Sequence, residues 1–223
     1  MKAIEQPYKL TKKQQLLLEL VAKSNLVNIF YLTGGTALSA FYLKHRFSED
    51  LDFFSEQEFD QLEITTFFKK NQKQLGYSSI DIQTSFNRFL VFLRFAKDHV
   101  LKTEFTYYPF PRIEKGYYFH KLQIDSQLDI ATNKLFTIAQ KPRSRDFVDL
   151  FFILNKTELT IRDLYYHAKN KFDWHIDPLH LAGQFNKIDD SDLSMLYKPI
   201  KLDTVQKYFQ SLIANFQSEI LQK

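Results

Sequence analysis

The chain has 223 residues and a net charge of +4, and its hydrophobic (44%) and charged (25%) fractions are those of a folded globular protein. It has no cysteine, which excludes disulfides and thiolate metal sites. The N-terminus lacks the apolar core of a signal peptide, and no stretch reaches the roughly 20 apolar residues that span a bilayer. We therefore expect a cytoplasmic protein without a membrane partner. The modest positive charge permits a nucleic acid partner but does not require one.

The first half of the chain predicts alternating helices and strands. Thr11 has the position of an N-cap for an amphipathic helix that ends near residues 24–25, and a short strand over residues 29–32 follows. Gly34-Gly35 interrupts that strand, and apolar residues at helical spacing come next. The stretch EDLDFF predicts a second strand, residues 58–75 a helix, and residues 86–95 and 100–108 a β-hairpin.

The second half of the chain predicts mostly helix. After a short strand near residues 117–122, helical patterns run from Asp129 towards the C-terminus. We therefore predict an α+β fold in which residues 1–125 form an α/β core, a mixed sheet flanked by helices. Residues 126–223 are predicted to form a C-terminal helical region packed on that core.

Two acidic residues in EDLDFF carry the first chemical signal. Asp50 and Asp52 are expected to project together, because alternate side chains of a strand share a face, while Leu51 and Phe53 point into the opposite layer. Two ionised carboxylates so close repel each other, and Mg²⁺ relieves that repulsion. The alternative is a solvated edge strand with two exposed acids. A D-x-D pair alone does not decide between these interpretations.

The Gly34-Gly35 pair carries the second signal. A glycine turn between a strand and a helix places unpaired backbone N–H groups and the positive end of the helix at one point, where an anion binds. Thr36 could cap this helix or donate its hydroxyl to a phosphate. An ordinary strand-to-helix turn is the alternative. However, the helix leads directly to the D-x-D strand, so we expect the phosphate cradle and the metal ligands to face one cleft.

The stretch GGTALSAFYLKHRFSEDLDFF resembles the first motif of the AbiEii/AbiGii toxin family of nucleotidyltransferase-fold proteins. That motif is a Gly-Gly or Gly-Ser turn, a helix and then R-x-S-x-D-x-D, which this chain matches position by position. The resemblance implies a nucleotidyltransferase-like mixed sheet. It also implies a set of nucleotide-binding residues: Gly34, Gly35, Thr36, Arg46, Ser48 and Lys134. A weaker similarity in DWHIDPLHLAGQFNKIDD extends the resemblance over most of the chain.

Residues 129–154 resemble the family's later motif, a helical lysine and an arginine followed by R/K-D-x-x-D-L. Lys134 interrupts an apolar stripe and therefore needs either an anion or a path to solvent. Asp146 precedes an apolar helical segment, where favouring the helix N-terminus is the structural alternative. Asp149 has a structural alternative in pairing with an arginine of the same block. The resemblance assigns Lys134 and Asp146 to the active site and leaves Asp149 structural.

The resemblance further implies metal-dependent transfer of a nucleoside monophosphate from an NTP to an acceptor hydroxyl. Mg²⁺, or else Mn²⁺, would be held by Asp50 and Asp52, with Glu104 as the candidate third carboxylate and metal ligand. Lys134 would offset phosphate charge, Ser48 would orient the acidic strand, and one carboxylate would take the acceptor proton. The sequence around Glu104 does not show by itself whether this residue faces the two aspartates.

The acceptor suggested by the resemblance is RNA, in particular the 3′ end of tRNA, with a cognate antitoxin as protein partner in a toxin-antitoxin system. Four cationic residues of the helical region could contact an RNA backbone, although such helical faces are usually only solvated: Lys156, Arg162, Lys169 and Lys171. Two alternatives stay open, a nucleotidyltransferase that modifies a small hydroxylated molecule and a catalytically silent nucleotide-binding module. The intact D-x-D pair argues against the silent module.

Overall fold

The structure, a computed structural model, describes residues 6–96, 99–188 and 193–220, with side chains up to residue 214. It has the predicted α+β fold, with a seven-stranded mixed sheet and flanking helices. The chain forms two compact units. The first unit comprises residues 1–111 and 115–126, and the second comprises residues 112–114 and 127–223.

The first unit is built on one sheet with the strand order β3-β4-β5-β2-β1-β7-β6. Strands β2 and β5 are parallel, as are β1 and β7, and the remaining neighbours are antiparallel. The strands are β1 (Tyr31–Thr33), β2 (Leu51–Ser55), β3 (Ser79–Ser85), β4 (Arg88–Arg94), β5 (Val100–Tyr107), β6 (Tyr118–Phe119) and β7 (Leu122–Ile124). The central position of β1, β2 and β5 places the Gly-Gly turn and the D-x-D residues in the middle of the sheet.

The helices of the first unit begin and end close to the predicted positions. They are α1 (Lys12–Ala22), α2 (Gly34–Ala37), which continues into a π-helical turn (Leu38–Leu43), and α3 (Gln61–Leu75). A 3₁₀ helix (Asn25–Asn28) follows α1. Thr11 is the N-cap of α1, and its capping box with Gln14 satisfies two backbone N–H groups of the first turn. The N-cap prediction for Thr11 is therefore confirmed.

The two faces of the central strands differ in chemistry. On one face, the rings of Phe53 and Phe105 stack with centroids 5.0 Å apart, and Phe30 and Phe68 pack edge-on against Phe105. These aromatic residues form the buried core of the sheet. The alternate residues of β2 and β5 project from the other face. Because the phenylalanines must be buried, Asp52 projects from the face opposite the aromatic core.

The predicted hairpin of residues 86–95 and 100–108 is confirmed by the antiparallel pair β4 and β5. The backbone N–H of Phe95 donates to the carbonyl of His99 at 2.8 Å, which closes the hairpin around residues 97–98, outside the described residues. Strand β3 was not among the predicted elements. It is an edge strand whose side chains are mostly exposed on both faces, so it lacks the hydrophobic alternation that marks a half-buried strand.

The second unit is helical. Its helices are α4 (Gln127–Gln140), α5 (Ser144–Lys156), α6 (Ile161–Phe172), α7 (Pro178–Phe185), a 3₁₀ helix (Leu193–Met195) and α8 (Leu202–Ile220). Its core includes the mutually contacting rings of Phe147, Phe185 and Phe209. Among the residues that the structure describes, no helix combines the length and the hydropathy needed to cross a membrane.

Candidate active site

The Gly34-Gly35 turn lies directly against the acidic strand. Gly34 has φ +72°, a conformation that side chains with a Cβ rarely adopt. A Cβ added there would lie 2.5 Å from Oδ2 of Asp52, well inside van der Waals contact. Both the backbone angle and the approach of Asp52 therefore require glycine. The turn and the strand that carries Asp52 are therefore in direct contact, and a shared cleft stays a prediction.

Gly35 contacts the other two polar residues of the first motif. A Cβ on Gly35 would overlap the guanidinium of Arg46 and would lie 3.1 Å from Oγ of Ser48. Arg46 is buried, and its Nη1 donates to the carbonyl of Phe47 at 2.9 Å, which shapes the loop before β2. The structure thus brings Gly34, Gly35, Arg46 and Ser48 together around one turn.

The acidic residues occupy the N-terminal end of β2. Asp50 precedes the strand, and Asp52 lies within it, half-buried between the buried residues Leu51 and Phe53. Asp52 is opposite Thr33 of β1 and opposite Glu104 of the parallel neighbour β5. Residues in register on parallel strands project from the same face, so Glu104 shares a face with Asp52. This geometry answers the question that the sequence around Glu104 left open.

Asp50 is tied to two neighbouring elements. Its carboxylate Oδ2 accepts from Nζ of Lys102 at 2.8 Å, and its backbone carbonyl accepts from the hydroxyl of Thr36. Thr36 is fully buried, and the N-cap of α2 is Thr33. The prediction that Thr36 caps the helix is therefore wrong, because its hydroxyl links the turn to the acidic strand. Nucleotide binding by Thr36 stays a prediction, although its hydroxyl donates to the carbonyl of Asp50.

Glu104 is held by a bidentate ion pair. Arg88 of β4 donates from Nε to Oε1 at 2.6 Å and from Nη2 to Oε2 at 2.5 Å, and the hydroxyl of Thr106 donates to Oε1 at 2.8 Å. Burial raises the pKa of Glu104, but the hydrogen bonds from Arg88 and Thr106 and the charges of Arg88 and Lys102 bring it below its usual value. Glu104 is therefore an ionised carboxylate beside Asp52 whose two oxygens already have partners.

Two further residues support the site and were not identified from the sequence. The buried side-chain amide of Gln14 donates from Nε2 to the carbonyls of Ser48 and Glu49 at 2.8 and 2.9 Å, so α1 fixes the loop before β2. Fully buried Asp125, which follows β7, accepts from the hydroxyl of Thr33 at 2.6 Å. Their partners are 34 and 92 residues away in the chain, so local sequence patterns do not reveal these contacts.

The donor set of this site suits a hard divalent cation. Asp50, directly before β2, and Asp52, within it, present carboxylate oxygens, which are the ligand type that Mg²⁺ and Mn²⁺ accept. Within the described ranges, no group of three or more His, Asp or Glu side chains is arranged to hold a metal ion. Glu104, the predicted third ligand, is instead engaged by Arg88. The metal fit therefore rests on the two aspartates.

The later motif forms a buried charge cluster within the second unit. Nζ of Lys134 on α4 lies 2.9 Å from Oδ1 of Asp146 and 2.6 Å from Oδ2 of Asp149, both on α5. Nε of Arg143 donates to Oδ2 of Asp146 at 2.8 Å. Burial raises the pKa of Asp146, but the charge of Lys134 and the hydrogen bond from Arg143 bring it below its usual value. Lys134 thus has two carboxylate partners in its own unit.

One of the four cations proposed for RNA contact is buried. Nζ of Lys171 lies 2.6 Å from Oδ1 of Asp129, and both side chains are almost completely inaccessible. The carboxylate of Asp129 also accepts from the backbone N–H groups of Ile113 and Glu114. The suggestion for Lys171 is therefore wrong, because its charge neutralises Asp129 in the core of the second unit. The other three cations are exposed: Lys156, Arg162 and Lys169.

A glycine turn packed on an acidic strand at the centre of a mixed sheet defines a nucleotidyltransferase-like protein. The solved structures agree with this fold. JHP933 from Helicobacter pylori superposes with a TM-score of 0.60 at 22% identity over 96% of both chains. A putative nucleotidyltransferase from H. pylori gives 0.60 at 21% identity, covering 96% of this chain and 98% of that one.

Sequence comparison identifies the family. The profile described as nucleotidyl transferase AbiEii toxin of type IV toxin-antitoxin systems matches residues 15–219. An uncharacterized protein of Aquifex aeolicus (strain VF5) is 35% identical over 169 residues, 74% of this chain and 76% of the relative. The chain belongs to the AbiEii nucleotidyltransferase toxin family. The resemblance inferred from the two motifs is confirmed, and the protein is a nucleotidyltransferase.

Proposed function

We propose that this nucleotidyltransferase transfers a nucleoside monophosphate from an NTP to the hydroxyl at the 3′ end of a tRNA, with a divalent cation, Mg²⁺ or Mn²⁺, held by Asp50 and Asp52. The observation that carries the proposal is the contact of Gly34 with the carboxylate of Asp52. It brings the backbone N–H groups at the start of α2, which suit phosphate, beside oxygens that suit a metal ion.

In the proposed reaction, the acceptor oxygen forms a bond to the α-phosphorus, the bond from that phosphorus to the β-bridging oxygen breaks, and pyrophosphate leaves. The divalent cation supplies Lewis-acid activation of the α-phosphate and neutralises the leaving group. Gly34 and Gly35 bind the β- and γ-phosphates through backbone N–H groups, and buried Arg46 and half-buried Ser48 support that turn. A carboxylate near the acceptor takes the proton from the attacking hydroxyl.

Three site assignments remain parts of this proposal. Glu104 is the proposed third carboxylate, and its two oxygens already accept hydrogen bonds from Arg88. Lys134 and Asp146 are proposed as catalytic residues, with Lys134 offsetting phosphate charge. Because Lys134 already neutralises two aspartates, its catalytic role has to be separated from its role in stability.

The acceptor and the protein partner come from the family. A toxin of a toxin-antitoxin system acts on a cellular target, and its antitoxin counteracts that effect. We propose tRNA as that target and a cognate antitoxin as the partner. Exposed cations of the second unit, such as Arg162 and Lys169, suit contacts with the RNA backbone.

The test is a transfer assay with the purified protein, Mg²⁺ or Mn²⁺, total tRNA and each NTP labelled at the α-phosphate. We expect label on tRNA with at least one NTP, and its loss in Asp50→Asn and in Asp52→Asn. Asp81→Asn is the matched control, because Asp81 is a partly buried acid of the same sheet on the edge strand β3. This control is expected to retain activity.

The outcomes separate the three functional hypotheses. Labelled tRNA that depends on both aspartates supports the proposal. Consumption of NTP with label on small hydroxylated acceptors, and none on RNA, favours the small-molecule enzyme. Binding of NTP without transfer to either class of acceptor identifies a catalytically silent module.

A further inference from the structure

The ammonium group of Lys102 lies beside the acidic residue that precedes β2. Its Nζ lies 2.8 Å from Oδ2 of Asp50, and the two side chains are 29% and 26% exposed. The register of β5 with β2 pairs Thr103 with Leu51 and Glu104 with Asp52. Lys102 therefore lies level with Asp50 and projects from the same face as Glu104. Its ammonium binds the carboxylate that the proposed metal ion needs.

Arg88, the cation that pairs with Glu104, makes more hydrogen bonds to its carboxylate than Lys102 makes to Asp50. Arg88 holds both oxygens of Glu104 through a planar two-point contact, and Thr106 binds the same carboxylate. Lys102 holds one oxygen of Asp50 through a single hydrogen bond at the end of a flexible four-carbon stem. Lys102 is therefore the cation of this cluster that can leave its carboxylate at low cost, and Arg88 is the fixed one.

We propose that Lys102 sets the affinity of the acidic site for its divalent cation. In the metal-free protein the ammonium neutralises Asp50, and the divalent cation binds by taking Oδ2 of Asp50 from Lys102. This inference rests on the proposed function, because it assumes that Asp50 and Asp52 bind a metal ion.

The physical reason is the exchange of one cation for another at a single oxygen. An ammonium and a divalent ion repel each other at contact distances, especially in a partly buried site. The protein must therefore break the Lys102–Asp50 ion pair before the metal binds, which lowers the apparent affinity. Removing the lysine charge removes this competitor and leaves the metal ligands in place.

The test measures binding of Mn²⁺ alone, without nucleotide, to the full chain by electron paramagnetic resonance. We expect Lys102→Met to lower the Kd for Mn²⁺ by about tenfold or more, since it removes a like charge from contact with the ligand. Lys102→Gln is a second variant that keeps a polar side chain, and it is expected to shift in the same direction. Lys102→Arg keeps the charge and is expected to stay near the wild-type affinity.

Arg94→Met is the matched control. Arg94 is an exposed cation of β4 on the same face, since Phe92 pairs with Lys102 and Arg94 lies two residues further along. Its loss removes the same charge without freeing Asp50, so we expect a change in Kd of less than about twofold.

The readout separates two kinds of failure. If the wild type and Asp50→Asn bind Mn²⁺ equally, the metal ion does not bind at the acidic strand, and the proposed function loses its metal site. If Asp50→Asn loses binding while neither Lys102→Met nor Lys102→Gln raises affinity beyond the Arg94→Met control, the role assigned to Lys102 is wrong and the proposed function stands. A thermal unfolding curve for each variant verifies that the protein compared is folded.

Discussion

The two charge clusters of this protein have similar composition but different surroundings. In the first unit, Asp50 and Lys102 are each more than one-quarter exposed. In the second unit, Lys134 is 8% exposed and its partners Asp146 and Asp149 are 1% and 0% exposed. The acids of both clusters lie in the family motifs, but the lysine–carboxylate pair of the first is partly exposed and that of the second is buried.

This difference in burial indicates which cluster can exchange its partners for a ligand and which one is needed for the stability of the fold. An exposed ion pair contributes little to the free energy of unfolding, so its partners can be exchanged for a metal ion or a substrate. A buried cluster cannot lose one charge without leaving another uncompensated in a low-dielectric interior. A motif match therefore marks a position without saying which of these two roles its residue has.

The largest effect is expected for Lys134→Met. This substitution leaves Asp146 and Asp149 without their shared ammonium, and we expect a loss of about 3–5 kcal/mol in the free energy of unfolding. Urea unfolding followed by circular dichroism measures it. Lys169→Met, at an exposed lysine of the same unit, is the control and is expected to change stability by less than about 0.5 kcal/mol.

A double variant separates the two roles of Lys134. Lys134→Met combined with Asp149→Asn removes one positive and one negative charge, and Arg143 still pairs with Asp146. We expect it to recover at least about half of the lost stability. If this folded double variant transfers nucleotide normally, Lys134 is structural only. Loss of transfer in the folded protein supports the proposed role at the phosphates.

The second prediction uses two glycines with the same backbone angle. Gly34 has φ +72° and Gly76 has φ +71°, so alanine at either position costs about 1–2 kcal/mol of backbone strain. At Gly76, the added Cβ would meet only Nζ of Lys13, at 3.4 Å, which is van der Waals contact. At Gly34 it displaces the carboxylate of Asp52. Only Gly34→Ala is therefore expected to lower the rate of transfer, by about 100-fold.

The matched pair isolates the contact with Asp52 from backbone strain. Thermal unfolding of both variants measures the loss of stability that they share, and the transfer assay measures the difference between their rates. Equal loss of activity in Gly34→Ala and Gly76→Ala contradicts a phosphate cradle at Gly34, because strain alone then explains the effect.

The local features of the site could be predicted from the sequence. Strand periodicity placed Asp50 and Asp52 away from the aromatic core, and the glycine pair marked the turn at the start of α2. Both inferences use residues close together in the chain, where backbone geometry dictates which side chains share a face. The fold class followed from the same local patterns.

The partners of the acids could not be predicted in this way. Lys102 is 52 residues from Asp50, and the amide of Gln14 reaches a carbonyl 34 residues away. Those contacts depend on strand order and on the register of β2 with β5. A shift of one residue in that register would turn each side chain of the strand to the opposite face. The apolar stripe showed that Lys134 needs an anion or a path to solvent, but not that two buried carboxylates of the next helix share it.

The smallest effect is expected at Glu104, whose ion pair combines a buried carboxylate with a partly exposed cation. Its carboxylate is buried, but the side chain of its partner Arg88 is 45% exposed, so we expect Glu104→Gln to cost only about 1 kcal/mol at neutral pH. The folded-state pKa of Glu104 lies below its usual 4.5. The stability that ionised Glu104 contributes is therefore present above about pH 4.5 and is lost as the pH falls through the lowered pKa.

Urea unfolding of the wild type and of Glu104→Gln across this acidic range measures that contribution. The other carboxylates titrate in both proteins, so their effects cancel in the difference between the two free energies of unfolding. This difference is expected to be largest at neutral pH and to shrink on acidification. If the difference stays constant in acid, packing of the Glu104 side chain stabilises the fold, and its ion pair with Arg88 does not. Glu104 is then freer to leave Arg88 for a metal ion than the bidentate contact suggests.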